Sequence, residues 1–140
     1  MPWQILAITF TNKAANELKE RLVKMLGDNA AVIWACTFHS ACLRILRKNG
    51  DKLGFSSHFT IYDTDDSKRV MKECQKLLGV DDKFLSHNTI LNEISRAKDS
   101  LISPDDYLKS AGNDVRLRKM GECYKKYQQL LKNADAMDFD

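Results

Sequence analysis

The chain has 140 residues, of which 44% are apolar and 29% are charged, as in ordinary soluble globular proteins. This length suffices for one domain, or for parts of two, with a buried core. No apolar run approaches the roughly 18 residues that span a bilayer, which argues against a membrane protein and favours the cytoplasm. The cysteines show neither CxxC pairs nor histidines at zinc spacing, so we expect reduced, packed thiols. They are Cys36, Cys42, Cys74 and Cys123.

The net charge of +3 is distributed unevenly along the chain. Residues 1–50 contain seven Lys and Arg against three acids, a net charge of +4, whereas the remaining ninety residues sum to −1. Phosphate binding depends on Lys and Arg, so a basic first third favours a polyanionic partner. A solvated basic face would give the same count.

The first third alternates short apolar runs with helical patterns. Residues 5–10 and 31–38 are β-branched or aromatic runs typical of strands, and each leads directly into a helical pattern. The first helix is predicted to begin near Asn12 and to end at Gly27, and the second to span residues 40–48. This order predicts two parallel strands in an α/β layer. The predicted inward residues are Ala15, Leu18, Leu22 and Met25, then Cys42, Ile45 and Leu46.

After Gly54 the sequence becomes mainly helical. The stretch FTIYD (59–63) predicts a short strand, after which Asp63 or Thr64 caps a helix. Further helices are predicted over about 88–98, from Ser103-Pro104 onward, and over about 114–133. Their inward residues are predicted at helical spacing. They are Val70, Met71, Cys74, Leu77, Leu78, Ile90, Leu91, Ile94, Ala97, Leu117, Met120, Tyr124, Tyr127 and Leu131.

Polar and aromatic side chains follow both predicted strands of the first third. In a parallel layer, ligands bind beyond the carboxyl ends of the strands, beside helix N-termini. Hydroxyls, an amide and helix N–H groups suit phosphate oxygens, and an exposed Phe offers a stacking face worth roughly 1–3 kcal/mol per base. We therefore predict a track for single-stranded nucleic acid. Its residues are Thr9, Phe10, Thr11, Asn12, Lys13, Thr37, Phe38, His39, Ser40 and Arg44.

A structural interpretation of the same stretches stays open, in which both phenylalanines are core residues and the polar groups are helix caps. Other polar residues favour such an interpretation more strongly. The acids at 63, 65 and 66 suit a helix N-terminus better than a metal, and the two tyrosines of the last helix suit a core. The roles of Arg96, Lys98, Lys125 and Lys126 stay undetermined at this stage.

Two stretches of the first third resemble the DNA-contacting motifs (Ia and Ib) of the UvrD/PcrA/Rep group of superfamily-one DNA helicases: ILAITFTNKAANELKERL and TFHSACLRILR. Later stretches are similar to a helical insertion of that group: FTIYDTDDSKRVMK, ISRAKDSLISPDDY and YKKYQQLLKNADAMDFD. The resemblance covers essentially the whole chain. It implies an α/β fragment of a RecA-like (P-loop NTPase) motor domain over 1–54, a mostly α-helical insertion domain over 55–134, and the return to the motor domain over 135–140.

The resemblance implies a function as well as a fold. The parent enzyme would translocate 3′ to 5′ on single-stranded DNA, driven by ATP and Mg²⁺, and would unwind duplex at single/double-strand junctions in repair or replication. Residues 9–12 and 37–40 would contact DNA, whereas Lys13 and Arg44 join the site through charge and position alone.

Several features of the family are absent from the sequence. There is no GxxxxGK[ST] phosphate loop, no Asp-Glu pair at a strand end for Mg²⁺, and no second motor domain. The chain thus resembles a piece of a helicase, from which we expect no bound cofactor and no ATPase activity alone. We also expect the helical part to fold independently, and residues 1–50 to self-associate, rearrange or stay mobile, because the rest of the motor would cover their exposed strands.

Two other functional classes stay open. One is the helicase subunit of a helicase-nuclease, which shares these motifs. The other is a non-enzymatic helical module that binds DNA or a protein and uses the polar strand ends only structurally.

Overall fold

Four short strands and six helices make up the computed structural model, which describes all residues 1–140. In chain order these are β1 (Leu6–Thr9), α1 (Asn12–Leu26), β2 (Trp34–Thr37), α2 (Phe38–Asn49), β3 (Thr60–Ile61), α3 (Thr64–Leu78), α4 (His87–Asp99), α5 (Pro104–Ala111), α6 (Val115–Asn133) and β4 (Ala136–Met137). The chain divides into a first unit, Met1–His58, and a helical unit, Phe59–Asp140. Whether these units correspond to a motor domain and an insertion stays a prediction.

The first unit has the predicted strand-helix-strand-helix order. Strands β1 and β2 pair in parallel, and α1 runs between them as the crossover. Helix α1 starts at Asn12 because the Thr11 hydroxyl accepts a hydrogen bond from the Ala14 N–H, at 3.2 Å. It ends at Gly27, whose φ of +56° favours a residue without Cβ. The predicted bounds of α1 are therefore confirmed.

Two boundaries of the first unit differ from the prediction. Strand β2 begins at Trp34, because the preceding residues Gly27–Val32 form a 3-10 turn that closes with a hydrogen bond from Ile33 N–H to Ala30. Helix α2 begins at Phe38, directly after the strand and two residues earlier than predicted. The strand and helix therefore meet without any connecting loop.

Two predicted core residues of the first unit are wrong: Met25 is 77% exposed and Ile45 is also exposed. A four-residue strand covers about 13 Å, whereas the fifteen-residue helix α1 is about 22 Å long. The last turn of α1 therefore extends past the sheet and leaves Met25 in solvent. Most of the residues that pack inward are small. The buried apolar residues of this unit are Ala15, Ala30, Ile33, Ala35 and Ala41.

The outer surface of β1 is apolar and open. Leu6 and Ile8 share one face of β1 and are exposed, as is Ile5 just before the strand, which is expected for a strand pair without further sheet neighbours. Self-association through this surface stays a prediction.

The helical unit contains the larger core. Helices α3, α4 and α6 surround a cluster in which Met71, Cys74, Ile90, Cys123 and Tyr127 are fully buried. Burial raises the pKa of the Cys74 thiol to about 12 and that of Cys123 to about 11, so both are packed as neutral groups. All four cysteines of the chain are free.

Two predicted core residues of the helical unit, Leu77 and Leu117, are wrong. The inward row of α3 contains Met71, Cys74, Gln75 and Leu78, so Leu77 faces solvent on the other side. Gln75 is buried in its place and donates a 2.7 Å hydrogen bond to the Leu85 carbonyl. Leu117 is exposed because it lies in the first turn of α6, where residues 112–118 are all exposed.

Side-chain caps define the helix starts. Asp63 accepts hydrogen bonds from the N–H groups of Asp65 and Asp66, both at 2.9 Å, and Ser103 accepts one from Asp106 at 3.1 Å. The Asp66 N–H contributes most to holding the pKa of Asp63 below its usual value. Capping therefore accounts for these acids, and no group of three His, Cys, Asp or Glu could hold a metal.

The two ends of the helical unit lie side by side. Strands β3 and β4 pair in parallel, with Thr60 opposite Ala136 and Ile61 opposite Met137. Next to this pair, the Asp138 carboxylate accepts hydrogen bonds from Lys98 Nζ at 2.9 Å and from the Tyr127 hydroxyl at 2.9 Å. The side chains of Lys98 and Asp138 are only 17% and 8% exposed. This ion pair, largely shielded from solvent, thus attaches the end of the chain to α4 and α6.

We predict that Lys98→Met destabilises the chain by about 3 kcal/mol, because it leaves the buried Asp138 carboxylate without its cation. The matched control is Lys125→Met, which breaks the exposed 2.7 Å pair between Lys125 and Asp105 and should cost less than about 1 kcal/mol. Urea unfolding followed by circular dichroism measures both. Equal effects of the two substitutions would contradict this assignment.

Candidate nucleic-acid interface

The register of β1 and β2 brings the two predicted strand ends together. Thr9 is paired directly with Thr37, so both strands end at the same level. Helix α1 begins three residues after Thr9, and α2 begins immediately after Thr37. Residues 9–13 and 37–40, here called the strand-tip edge, therefore form one continuous rim of the first unit.

Both phenylalanines of the strand-tip edge are available to solvent. Phe10 is 95% exposed and Phe38 is 51% exposed. The Phe38 ring also contacts the His39 ring edge-on, with centroids 6.1 Å apart. The interpretation of both residues as core is wrong, since neither ring is enclosed. The Phe10 side chain has no polar atom to hydrogen-bond with water, and its exposed ring face is free to stack.

The threonine hydroxyls at this edge have structural partners. Thr11 caps α1, and Thr37 accepts a 3.3 Å hydrogen bond from the Ser40 N–H and donates one to the Ser40 hydroxyl at 2.8 Å. Thr9 donates to the Thr11 carbonyl at 3.2 Å. The capping interpretation is therefore confirmed for Thr11 and Thr37, and the latter is buried. Any contact of these hydroxyls with a ligand would come in addition to their caps.

The electrostatics of the edge favour anions. Neither α1 nor α2 has an acidic residue in its first turn, so the positive ends of both helix dipoles are uncompensated there. Asn12 and Lys13 occupy the first turn of α1 and are exposed. The edge thus combines N–H donors, one amine and exposed aromatic faces.

Arg44 lies away from the other predicted site residues. Its guanidinium stacks on the Trp34 ring, 4.1 Å from the ring centroid, at the beginning of β2. The strand-tip edge is at the other end of this strand. Sequence reasoning missed this contact, because the two residues belong to different elements and only their tertiary packing brings them together.

The four basic residues of undetermined role have partners within the helical unit. Lys98 is in the buried pair with Asp138, which identifies it as a structural residue. Lys125 pairs with Asp105, and Lys126 Nζ lies 3.5 Å from Gln129 Oε1. Arg96 is largely exposed and lies 3.7 Å from Glu93.

The fold places the chain among helix-rich α/β proteins with two short parallel strand pairs. Its whole length, residues 1–140, matches the sequence model of the UvrD/REP helicase N-terminal domain. The chain belongs to that family, which confirms the assignment made from the two motif-like stretches.

Named relatives agree with this membership. The chain is 44% identical over 139 residues to the ATP-dependent DNA helicase PcrA of Staphylococcus epidermidis, and equally to that of Staphylococcus aureus. The match covers 99% of this chain but 19% of each relative. The chain therefore spans about a fifth of the length of these proteins. None of its helices is both long and apolar enough to cross a membrane.

We predict that Thr37→Ala destabilises the first unit by about 1–2 kcal/mol, because it removes the cap of α2 from a buried position. Thr37→Ser keeps the capping oxygen and should cost less than half as much. Amide hydrogen exchange across residues 34–49 reports on this unit alone. Unchanged protection in Thr37→Ala would show that the cap contributes nothing.

Proposed function

We propose that the parent protein is an ATP-dependent DNA helicase that translocates 3′ to 5′ along single-stranded DNA and unwinds duplex at junctions, in repair or replication. Membership of the UvrD/REP family and the similarity to proteins named ATP-dependent DNA helicase PcrA support this proposal. The observation that carries it for this chain is the strand-tip edge, where Thr9 and Thr37 are paired and Phe10 and Phe38 are exposed.

We assign the parts of the chain as follows. Residues 1–54 contribute two strands and two helices to a RecA-like motor domain, 55–134 form a helical insertion, and 135–140 return to the motor. The parallel β-α-β-α order supports the first assignment. The pairing of β3 with β4 supports the second, because an inserted unit must begin and end at neighbouring positions. The exposed apolar surface of β1 would then be covered by further strands of the motor.

The strand-tip edge would hold DNA through two kinds of contact. Phe10, and Phe38 beside it, would stack on bases, which tolerates any sequence because every base has a flat face. The first-turn N–H groups of α1, together with Lys13, would hold a phosphate. On the neighbouring tip, His39 and Ser40 would contact the backbone. These contacts are independent of sequence, which suits an enzyme that moves along DNA.

ATP and Mg²⁺ are proposed as cofactors of the parent, bound by parts of it outside these 140 residues. A phosphate loop cradles ATP with consecutive backbone N–H groups of a glycine-rich turn. The connection from β1 to α1 is Phe10-Thr11, and β2 joins α2 directly, so neither offers such a turn. The residues at these strand ends do not fit ATP, and no reaction step is assigned to them.

We accordingly predict that the purified 140-residue chain does not hydrolyse ATP in the presence of Mg²⁺ and single-stranded DNA. A coupled phosphate-release assay, with the full-length parent as positive control, measures this. Mg²⁺-dependent turnover by the chain alone would contradict the assignment of the cofactor site to other parts of the parent.

Replacing the exposed rings tests the DNA contact. We predict that Phe10→Ala and Phe38→Ala each weaken binding to labelled single-stranded DNA about tenfold, because one stacked base contributes roughly 1–3 kcal/mol. Fluorescence anisotropy at low salt gives the affinities. Phe84→Ala is the matched control, since Phe84 is an exposed phenylalanine of the helical unit.

The comparison separates the proposal from a scaffold role. Unchanged binding in both strand-tip variants, with folding confirmed by circular dichroism, would favour a structural role for these rings and a chain that binds DNA elsewhere or not at all.

A further inference from the structure

A second basic surface of the first unit lies around Trp34. An open pocket of about 540 Å³ is lined by Trp34, Arg44, Ile45, Arg47, Lys48 and Asn49. Its base is the stacked pair formed by the Arg44 guanidinium and the indole ring, 4.1 Å from guanidinium carbon to ring centroid. A guanidinium held over an aromatic ring by cation–π attraction still has N–H donors that can bind an oxyanion through two hydrogen bonds.

The charge of this pocket is entirely positive. Arg44, Arg47 and Lys48 are spaced three and four residues apart, so they occupy one face of α2. No lining residue is acidic, and neither Arg44 nor Lys48 takes part in an ion pair of the structure. Arg47 donates a 3.0 Å hydrogen bond to the Ser57 carbonyl, which fixes its stem beside the pocket. Two cations are therefore directed at solvent with no carboxylate to neutralise them.

Apolar surface adjoins these cations. Ile45 is exposed within the pocket although it was expected in the core, and the Trp34 ring is partly exposed beside it. A ligand of matching chemistry carries an oxyanion next to a flat or apolar group. A nucleic-acid backbone does so, since each phosphate is flanked by a sugar and a base. An acidic peptide provides the charge but no flat group at a fixed distance.

This pocket is separate from the strand-tip edge. Trp34 begins β2 and Thr37 ends it, about 10 Å apart along the strand. Arg44 follows Phe38 by six residues, about 9 Å back along α2. Phe10 and Phe38 are therefore exposed where β2 ends and α2 begins. Arg44 and Lys48 are exposed near the beginning of β2, further along α2.

We propose that the Trp34–Arg44 pocket is a second nucleic-acid contact, in which Arg44 and Lys48 bind a backbone phosphate and the adjoining sugar or base lies against Ile45 and Trp34. The choice of nucleic acid rests on the proposed function, whereas the anion site rests on the pocket alone. A segment of DNA that leaves the strand-tip edge, or a separate strand, can be held there without base specificity.

Indole fluorescence provides a local readout. The chain contains two tryptophans, so Trp3→Phe leaves Trp34 as the sole indole. We expect titration with an oligothymidylate of about 8 nucleotides, within the usual site size for a single strand, to quench Trp34 emission to saturation at low salt. In this background, Arg44→Gln and Lys48→Gln should each lower the affinity obtained from the quenching curve about tenfold. Arg21→Gln, an exposed arginine of α1, is the matched control and should leave it unchanged.

Salt dependence provides a second measurement. The slope of log K against log salt should fall by about 0.7 for each phosphate contact that a substitution removes from a single strand. A duplex oligonucleotide of the same length, titrated in parallel, identifies which form of DNA the pocket binds. Absence of quenching by either oligonucleotide, or quenching that Arg44→Gln and Lys48→Gln leave intact, would overturn the proposal.

The strand-tip variants distinguish the two sites. Phe10→Ala with Phe38→Ala should leave the Trp34 response in place, and loss of that response would show a single track and overturn the second contact. Weaker anisotropy in these variants without any Trp34 response would support the proposed function and overturn this inference. A Trp34 response together with unchanged anisotropy in these variants would support the pocket and contradict the strand-tip contact. Polyglutamate that quenches Trp34 as tightly as the oligonucleotide would overturn the nucleic-acid assignment in favour of an acidic protein.

Discussion

The pairing of Thr9 with Thr37 is the constraint on which the first unit depends. Parallel strands whose ends coincide bring two helix N-termini to the same rim, where Phe10 and Phe38, which follow the strands directly, are exposed. A shift of the register by one residue would turn Ala35 outward and Trp34 inward. The shift would place the large Trp34 ring on the face where Ala35 is now buried. Packing of alanines against the sheet therefore sets the position of the strand-tip edge.

The two units differ in how they are stabilised. The first buries mainly alanines and leaves apolar side chains of β1 exposed, so little area is removed from water. The helical unit buries Tyr127, Phe59 and Met71 completely and adds the ion pair of Lys98 with Asp138. The first unit thus leaves apolar side chains exposed, whereas the helical unit has a core of its own.

Local signals in the sequence predicted much of the fold. Asp63 and Ser103 each cap a helix as expected, because a capping residue acts on N–H groups only two or three positions away. The parallel strand pair followed from the spacing of two apolar runs. The residues of the strand-tip edge could also be predicted from the sequence, because they follow the strands directly in the chain.

Features that depend on distant parts of the chain were not predictable. Exposure of Met25 depends on the length of the strands beside α1, and the stacking of Arg44 on Trp34 depends on how closely α2 packs on β2. Lys98 and Asp138 are forty residues apart, and no local pattern indicates that they meet. A charge count treats a buried structural lysine and an exposed binding lysine alike, which is why the four basic residues of the helical unit had no predictable role.

The adjacency of β3 and β4 gives the helical unit a closed chain path. Its backbone enters at Thr60 and leaves at Met137 within one strand spacing, roughly 4.8 Å, so the eighty or so residues between them form a loop that closes on itself. Such a unit can be inserted into a host sheet, lengthened or exchanged during evolution without moving the host strands on either side. Its helices can then diverge for a new partner while the strand-tip edge stays unaltered.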